Sequence, residues 1–282
     1  LCASYLLLQH GINPTDVRVI FETHGHEDHM GSAIHFLLEC LAAGRSFTYV
    51  AAEPVYRTCV AKIAAILGTT EDEADAMLTR AQGDGGRGAS VDAPVGGVIR
   101  VQPGETLRLL GAAWTFEWMV HPIPTLGFRI ELEHDGRTYA LAYSSDTAPA
   151  QGAMGLEAMA AEGFFDPADD PLPKLVRGNE TLVLWEAGGT NGDPIHYHAR
   201  DWAAMCAARG IDVPVTFMHV HPFPPEFRHY ELARPGWTKT LVAGRQFTVG
   251  DIAAIVGALQ SFPLRDPVYW LQVLCSQGRV ET

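Results

Sequence analysis

Residues 24–29 read His-Gly-His-Glu-Asp-His, and they are the part of this sequence best equipped for chemistry. The cluster offers three imidazoles and the Asp28 carboxylate, which are the ligands that zinc and similar divalent ions prefer. In the turn after a strand, His24 and His26 can point the same way, and Asp28 and His29 can reach a second ion close by. Structural zinc sites are usually closed and rich in cysteine, so this cluster favours a catalytic metal site.

Further candidate ligands stand where predicted strands end. The β-branched run at 17–21 predicts a buried strand directly before the histidine cluster. His121, Asp146 and His219 each follow another run of strand-forming residues. Two ions need more than four ligands, and these residues raise the number of candidates to seven: His24, His26, Asp28, His29, His121, Asp146 and His219.

The run 23–31, Thr-His-Gly-His-Glu-Asp-His-Met-Gly, resembles the HxHxDH signature of the metallo-β-lactamase superfamily. The later ligands of that family are a His, an Asp and a His at strand ends, and they match the later candidates in order. The resemblance covers about 17–222 and implies an αββα sandwich with a metal pair at one edge. It assigns one ion to His24, His26 and His121, the other to Asp28, His29 and His219, and a bridging position to Asp146.

Such a metal pair implies a hydrolase. Two divalent ions lower the pKa of a shared water toward about 7, so a bridging hydroxide can act as the nucleophile without a Ser or Cys. Asp28 has a second possible role, which is to orient that hydroxide. The ions are expected to be Zn²⁺, with Mn²⁺ or Fe²⁺ as alternatives, because imidazole and carboxylate ligands accept those metals too.

Two further motifs point to a phosphodiester substrate. Residues 185–187 and 196–200 are similar to a paired motif of the ribonuclease Z branch, in which a Glu–His pair donates a proton to the leaving oxygen. The likeness implies this role for Glu186 and His196, and an alkoxide leaving group needs such an acid. A third similar stretch, at 121–128, implies that Thr125 contacts the scissile phosphate. The expected substrate is an RNA end, a cyclic nucleotide or another small phosphodiester.

Other interpretations stay open. The same metal pair would serve a thioester or lactone hydrolase, as in the glyoxalase II and lactonase branches, and a non-catalytic metal-binding module is a third possibility. Glu186 could merely cap a helix, and His196 could be a solvated loop residue. For Arg129 a solvated salt bridge is favoured over binding of a phosphate or carboxylate.

Runs of strand pattern with interspersed helical pattern predict a layered α/β chain. The dipeptide Asp135-Gly136 predicts a hairpin between the strand runs at 128–132 and 138–145. We expect one domain over 1–282, with a helical and Gly-rich insertion at 54–97 and a C-terminal extension at 223–282. The insertion could overhang the metal edge and restrict substrates. Within it, Thr70 and Glu73 have the form of a helix capping box. Because Leu1 is not a natural start, part of the N-terminus is expected to be missing.

Composition limits the partners. The formal net charge is −13 and no Lys/Arg block is present, which argues against an extended nucleic-acid-binding face. No apolar run reaches the length of a membrane span. The five cysteines are dispersed without metal-site spacing, so a reducing, cytoplasmic compartment is expected. A homodimer acting on a small-molecule or nucleotide substrate is the expected form.

Overall fold

The computed structural model describes residues 8, 17, 19–45, 47–82, 97–134, 136–149, 156–164, 172–186, 195–197, 205–213 and 215–218. The described residues up to Ala113 form one compact unit, and those from Trp114 onward form a second. Among the described residues, no helix combines the length and the apolar character that crossing a membrane would require. The predicted extension at 223–282 lies outside the described residues.

The first unit contains a parallel sheet in the order β1-β2-β3. Every residue of the central strand β2 is buried, as is typical of parallel sheets, in which both faces are covered. The strand β4 follows β3 along the chain. Their bounds are β1 Val19–Glu22, β2 Thr48–Ala52, β3 Gly97–Val101 and β4 Thr106–Leu109.

Three helices connect these strands: α1 Glu27–Ala42, α2 Glu53–Leu67 and α3 Glu71–Gln82. Parallel neighbours need a long crossover connection, and α2 with α3 supplies helical structure between β2 and β3. The segment predicted as an insertion at 54–97 therefore includes a connection that the parallel sheet requires. The predicted capping box is present, since Thr70 Oγ1 accepts from the Glu73 amide at 3.2 Å and Glu73 Oε2 from the Thr70 amide at 3.0 Å.

In the second unit, neighbouring strands follow chain order from β5 to β9. β6 and β7 pair as antiparallel strands, which confirms the hairpin predicted around Gly136, whose φ is 70°. β7 pairs with β8, and β8 with β9, as parallel strands. The bounds are β5 Ala112–Trp118, β6 Leu126–His134, β7 Arg137–Tyr143, β8 Leu182–Glu186 and β9 Val215–Met218.

Two short helices, α4 Leu156–Ala161 and α5 Leu172–Leu175, precede β8. The sequence pattern did not predict α5, although Leu172 and Leu175 are fully buried in the same apolar cluster as Trp185. The predicted α/β class is confirmed. The layering of the sheets as an αββα sandwich stays a prediction.

The expectation of a solvated salt bridge at Arg129 is wrong. Arg129 is fully buried on β6, where it pairs with the buried Glu180 and donates to the Leu175 carbonyl at 3.0 Å and to Asn179 Oδ1 at 2.9 Å. Charge is tolerated there because every side of the guanidinium has an acceptor. This pattern ties β6 to the segment between α5 and β8.

Candidate metal centre

The loop at 23–26 lies between β1 and α1 and presents the first predicted ligands. The ring centroid of His24 lies 4.9 Å from that of His26 and 4.2 Å from that of His29. One ligand nitrogen of His24 and one of His26 lie within 4.8 Å of each other. Asp28 Oδ2 is 3.7 Å from His29 Nε2. The structure thus gathers all four residues of the first cluster at the start of α1.

Hydrogen bonds orient this loop. Thr23 Oγ1 lies 3.0 Å from His24 Nδ1, and both side chains are buried. When Nδ1 gives its proton to the hydroxyl oxygen, Nε2 carries the lone pair that a metal needs. The His26 carbonyl accepts from the amides of His29 at 3.2 Å and Met30 at 2.8 Å, so His26 stands where α1 begins.

A buried carboxyl lies directly before the loop, at the end of β1. Burial raises the pKa of Glu22 to about 8, and the Lys62 ammonium opposes that shift. Neither Glu22 nor Lys62 was predicted from the sequence as part of the site. Two features of the sequence could have pointed to them. Glu22 is an acidic residue at the end of an apolar strand, and Lys62 is a basic residue in a mainly apolar stretch of α2.

His121 and Asp146 form the corresponding pair in the second unit. Both are buried, and a ligand nitrogen of His121 lies within 4.8 Å of a carboxylate oxygen of Asp146. Two hydrogen bonds bring their segments together: the Val120 amide donates to Thr147 Oγ1 at 3.3 Å, and the Ala148 amide donates to the Val120 carbonyl at 2.7 Å. The residues that flank the two ligands therefore fix the distance between them.

The His121 ring has a main-chain partner that selects its tautomer. Its Nδ1 lies 3.3 Å from the carbonyl oxygen of Ile195, an arrangement in which Nδ1 donates and Nε2 is the nitrogen suited to a metal. The His121 and His196 ring centroids are 5.7 Å apart. One short segment, 195–197, thus contacts a predicted ligand and also contains the predicted acid.

Glu186 and His196 are brought together. Glu186 is the last residue of β8 and is fully buried, and its Oε1 lies 3.2 Å from His196 Nδ1. The Tyr197 amide donates to Glu186 Oε2 at 2.6 Å, and the Glu186 amide donates to Ser144 Oγ at 2.8 Å. The Tyr197 amide thus holds the carboxylate itself, and the bond to Ser144 holds the main chain of Glu186 at the end of β8.

The turn between β7 and Asp146 contains a residue that sequence reasoning missed. Ser145 is buried and has a φ of 56°, a left-handed conformation that costs roughly 1–2 kcal/mol in a residue with a Cβ. Ser144 Oγ donates to the Ser145 carbonyl at 2.6 Å. The small hydroxyl residues on either side of Asp146 were the available signal, because such side chains bond locally to the backbone.

Thr125 and His219 differ from the other predicted residues. Thr125 is fully buried, and its hydroxyl donates to the Ile123 carbonyl at 2.9 Å. Its carbonyl accepts from the Met119 amide at 2.8 Å, so Thr125 closes the connection from β5 to β6. Its contact with a phosphate stays a prediction. His219 lies outside the described residues.

The donor chemistry of these residues fits a divalent metal ion. The first unit offers three neighbouring imidazoles and the Asp28 carboxylate, and the second offers an imidazole beside a buried carboxylate. Cysteine is absent from these groups, so a closed thiolate site is disfavoured and a hydrolytic type of site is favoured.

Comparison with known proteins supports the predicted resemblance. A family model described as the metallo-beta-lactamase superfamily matches residues 2–53. The matched segment contains the whole run 24–29, so the predicted resemblance is confirmed there. A search of curated proteins finds no match.

Solved structures are similar at low sequence identity. The metallo-beta-lactamase fold protein YhfI from Bacillus subtilis is 14% identical, with a TM-score of 0.49 over 80% of this chain and 74% of that one. A diphosphatase from the PhnP family is 15% identical, with a TM-score of 0.49 over 85% and 72%. The short form of human tRNase Z is 13% identical, with a TM-score of 0.43 over 75% of both chains.

Proposed function

We propose that this chain is a metal-dependent hydrolase that cleaves a phosphodiester. The seven predicted ligands would hold two divalent ions in the arrangement that the signature implies, with Zn²⁺ the first choice. Two observations support metal binding: the gathered first cluster lies inside the matched segment 2–53, and the buried pair His121–Asp146 offers ligands of the same kind. Metal ions bound there would supply a nucleophile by lowering the pKa of water.

The chain's own residues have distinct tasks in this proposal. Thr23 and the Ile195 carbonyl orient the rings of His24 and His121. Asp28, in the first turn of α1, would orient the attacking water. The small phosphodiester could be an RNA end or a cyclic nucleotide, and Thr125 would shape the segment that faces its phosphate.

The geometry of Glu186 and His196 is the single observation that carries the choice of a phosphodiester. His196 Nδ1 lies within ion-pair distance of the buried carboxylate, at 3.2 Å, and Nε2 would be the atom that gives a proton to the leaving oxygen. A departing alkoxide needs that proton, and a positioned acid contributes typically 10²–10⁴-fold in rate. A departing thiolate does not need it, so a thioesterase would have little use for this pair.

The proposal is tested with substrates that differ in leaving group. His196→Asn and Glu186→Gln should lower kcat by on the order of 100-fold or more on a cyclic nucleotide, whose alkoxide leaves poorly. They should change turnover of bis(4-nitrophenyl) phosphate only slightly, because nitrophenolate leaves without a proton. His35→Asn, at an exposed position on α1, is the matched control.

Metal content is measured on the same samples. An equal fall in kcat on both substrates would show that Glu186 and His196 maintain the structure of the site and do not protonate the leaving group. Turnover of a thioester without any phosphodiester turnover would favour the alternative hydrolase. A purified wild-type protein that binds no divalent ion would refute the proposed function.

A further inference from the structure

The helix α2 reaches the loop that presents His24 and His26. Lys62 Nζ donates to the Gly25 carbonyl at 3.0 Å and to Glu27 Oε2 at 2.8 Å. Gly25 and Glu27 are the residues on either side of His26. One ammonium group on α2 is therefore bonded to the chain immediately before and immediately after a predicted metal ligand.

One helical turn earlier, Thr58 contacts the same loop. A Cβ added to Gly25 would lie only 2.8 Å from Thr58 Cγ2, so the helix and the loop backbone are in close contact there. Thr58 Oγ1 donates to the Pro54 carbonyl at 3.0 Å, which fixes the rotamer and directs the methyl group. Residues four apart share a helix face, so Thr58 and Lys62 form one support surface on α2.

The exposure of the partners indicates what this support does. The Glu27 side chain is 82% exposed, and an ion pair with such a partner adds little to global stability. The Lys62 side chain is only 29% exposed and also bonds to a main-chain carbonyl, which a solvated lysine would not need to do. The contacts therefore restrain the loop locally more than they stabilise the fold.

We propose that Lys62 is a positioning residue of the metal centre. By holding the Gly25 carbonyl and the Glu27 carboxylate, it restrains the loop backbone before His26 and the side chain after it, and thereby limits the directions of the His24 and His26 rings. The inference rests on the proposed metal-binding function. The helix α2 lies in the segment that was expected to restrict substrates, and in this proposal it also holds the metal ligands in place before the metal binds.

Zinc affinity tests this role. Competition with a chromophoric chelator should show that Lys62→Met binds Zn²⁺ about 10-fold to 100-fold more weakly than the wild type, as for other residues that orient metal ligands. Lys62→Arg, which keeps a charged donor, should restore most of the affinity. Arg57→Met is the matched control, because Arg57 lies on the same helix and pairs with Glu53 at 2.9 Å, away from the loop.

Hydrogen exchange on the metal-free protein gives a second readout. Peptides covering 23–30 should exchange faster in Lys62→Met and in Lys62→Gln, while exchange in β2 stays unchanged. The glutamine variant guards against a folding defect caused by the methionine. If Lys62→Met and Lys62→Gln bind Zn²⁺ as tightly as the wild type does, this inference is overturned while the proposed function stands. Absence of Zn²⁺ binding by the wild type would overturn the proposed function and this inference with it.

Discussion

Two of the predicted histidine ligands are each oriented by a partner that is not itself a predicted ligand. His24 Nδ1 faces the Thr23 hydroxyl, and His121 Nδ1 faces the Ile195 carbonyl. An imidazole has two nitrogens, and the partner of one decides which tautomer leaves the other with a lone pair. The residue type provides an atom that can bind metal, whereas the hydrogen-bond partner of the ring sets the direction in which that atom points.

Gly25 shows how closely a single residue is fitted to the loop. Gly25→Ala should lower the free energy of unfolding by about 1–3 kcal/mol, because its methyl group would meet Thr58 Cγ2 at 2.8 Å. Thr58→Ser removes that methyl, so the double variant should lose less than the sum of the two single variants. Urea denaturation of the four proteins measures the coupling.

If the losses of unfolding free energy in the two single variants add up in the double variant, the contact between Gly25 and Thr58 is contradicted. Gly44→Ala provides the comparison for a glycine with open space around it, although its φ of 64° adds a conformational cost of its own.

At the scale of elements, parallel pairing explains why Asp146 and Glu186 lie at one edge of their sheet. β7 and β8 are parallel, with Tyr143 opposite Leu184, and both strands end within a few residues of that register. Residues that follow parallel strands emerge at the same edge, which is where α/β proteins build sites. The bond from the Glu186 amide to Ser144 Oγ fastens the two strand ends together.

The buried Arg129 connects β6 to the segment before β8, and its loss should be costly. Arg129→Met should lower the free energy of unfolding by about 3–5 kcal/mol, because it leaves the Glu180 carboxylate buried without its partner charge. Arg177→Met is the matched control. Arg177 is 46% exposed and lies 3.5 Å from Glu131, so its loss should cost less than about 1 kcal/mol.

Chemical denaturation of both variants measures these changes. Equal losses for the buried and the exposed arginine would contradict the structural role of the Arg129–Glu180 pair.

A substitution in the two-residue turn between β4 and β5 should stabilise the fold. Leu110 and Gly111 both have positive φ, 54° and 78°, which is the pattern of a turn that favours Asn-Gly. Leu110→Asn should raise the free energy of unfolding by about 1 kcal/mol by relieving a conformation that leucine tolerates poorly. Leu110→Ala removes the same exposed side chain but keeps the strain.

A comparable gain in both Leu110 variants would show that removal of an exposed apolar side chain, and not backbone conformation, causes the effect. Thermal or urea unfolding is sufficient to separate the two explanations.

At the scale of the whole molecule, a net charge of −13 limits the nucleic acids that the chain can hold. Polyanion binding draws most of its free energy from phosphate contacts with lysine and arginine, and the sequence contains 20 such residues against 33 acidic ones. A single phosphate held by metal ions does not require a basic face. Under the proposed function, this charge fits a small phosphodiester better than a long polyanion.

We therefore expect weak binding to long single-stranded RNA. Fluorescence anisotropy with a labelled oligonucleotide should give a Kd weaker than about 10⁻⁴ M at physiological salt, which is the weak end of non-specific binding. Micromolar binding that falls steeply as salt rises would reveal a basic face and contradict this expectation. A labelled mononucleotide serves as the control for binding at the metal centre alone.

Local patterns accounted for much of the fold because they act over a few residues. Strand periodicity, the Thr70–Glu73 capping box and the hairpin turn at Gly136 depend on neighbours along the chain, and the structure has all of them. The four candidate ligands within 24–29 are also neighbours along the chain, and the turn between β1 and α1 is enough to bring them together. The burial of Arg129 was missed because its partners lie about 45–50 positions away, as the bond from Arg129 to the Leu175 carbonyl shows. The helix α5 was missed because its four residues are too few to show a helical period.

By itself, the sequence determined which atoms could bind metal, the alternation of strands and helices, and the acidic character of the chain. Only the tertiary structure decided that His121 Nδ1 meets a carbonyl oxygen, that Glu186 lies beside His196, that Thr125 is buried, and that Lys62 on α2 holds the loop around His26. The reason is physical. Residue types and short-range patterns are properties of the covalent chain, whereas hydrogen-bond direction and burial depend on segments that become neighbours only when the chain folds.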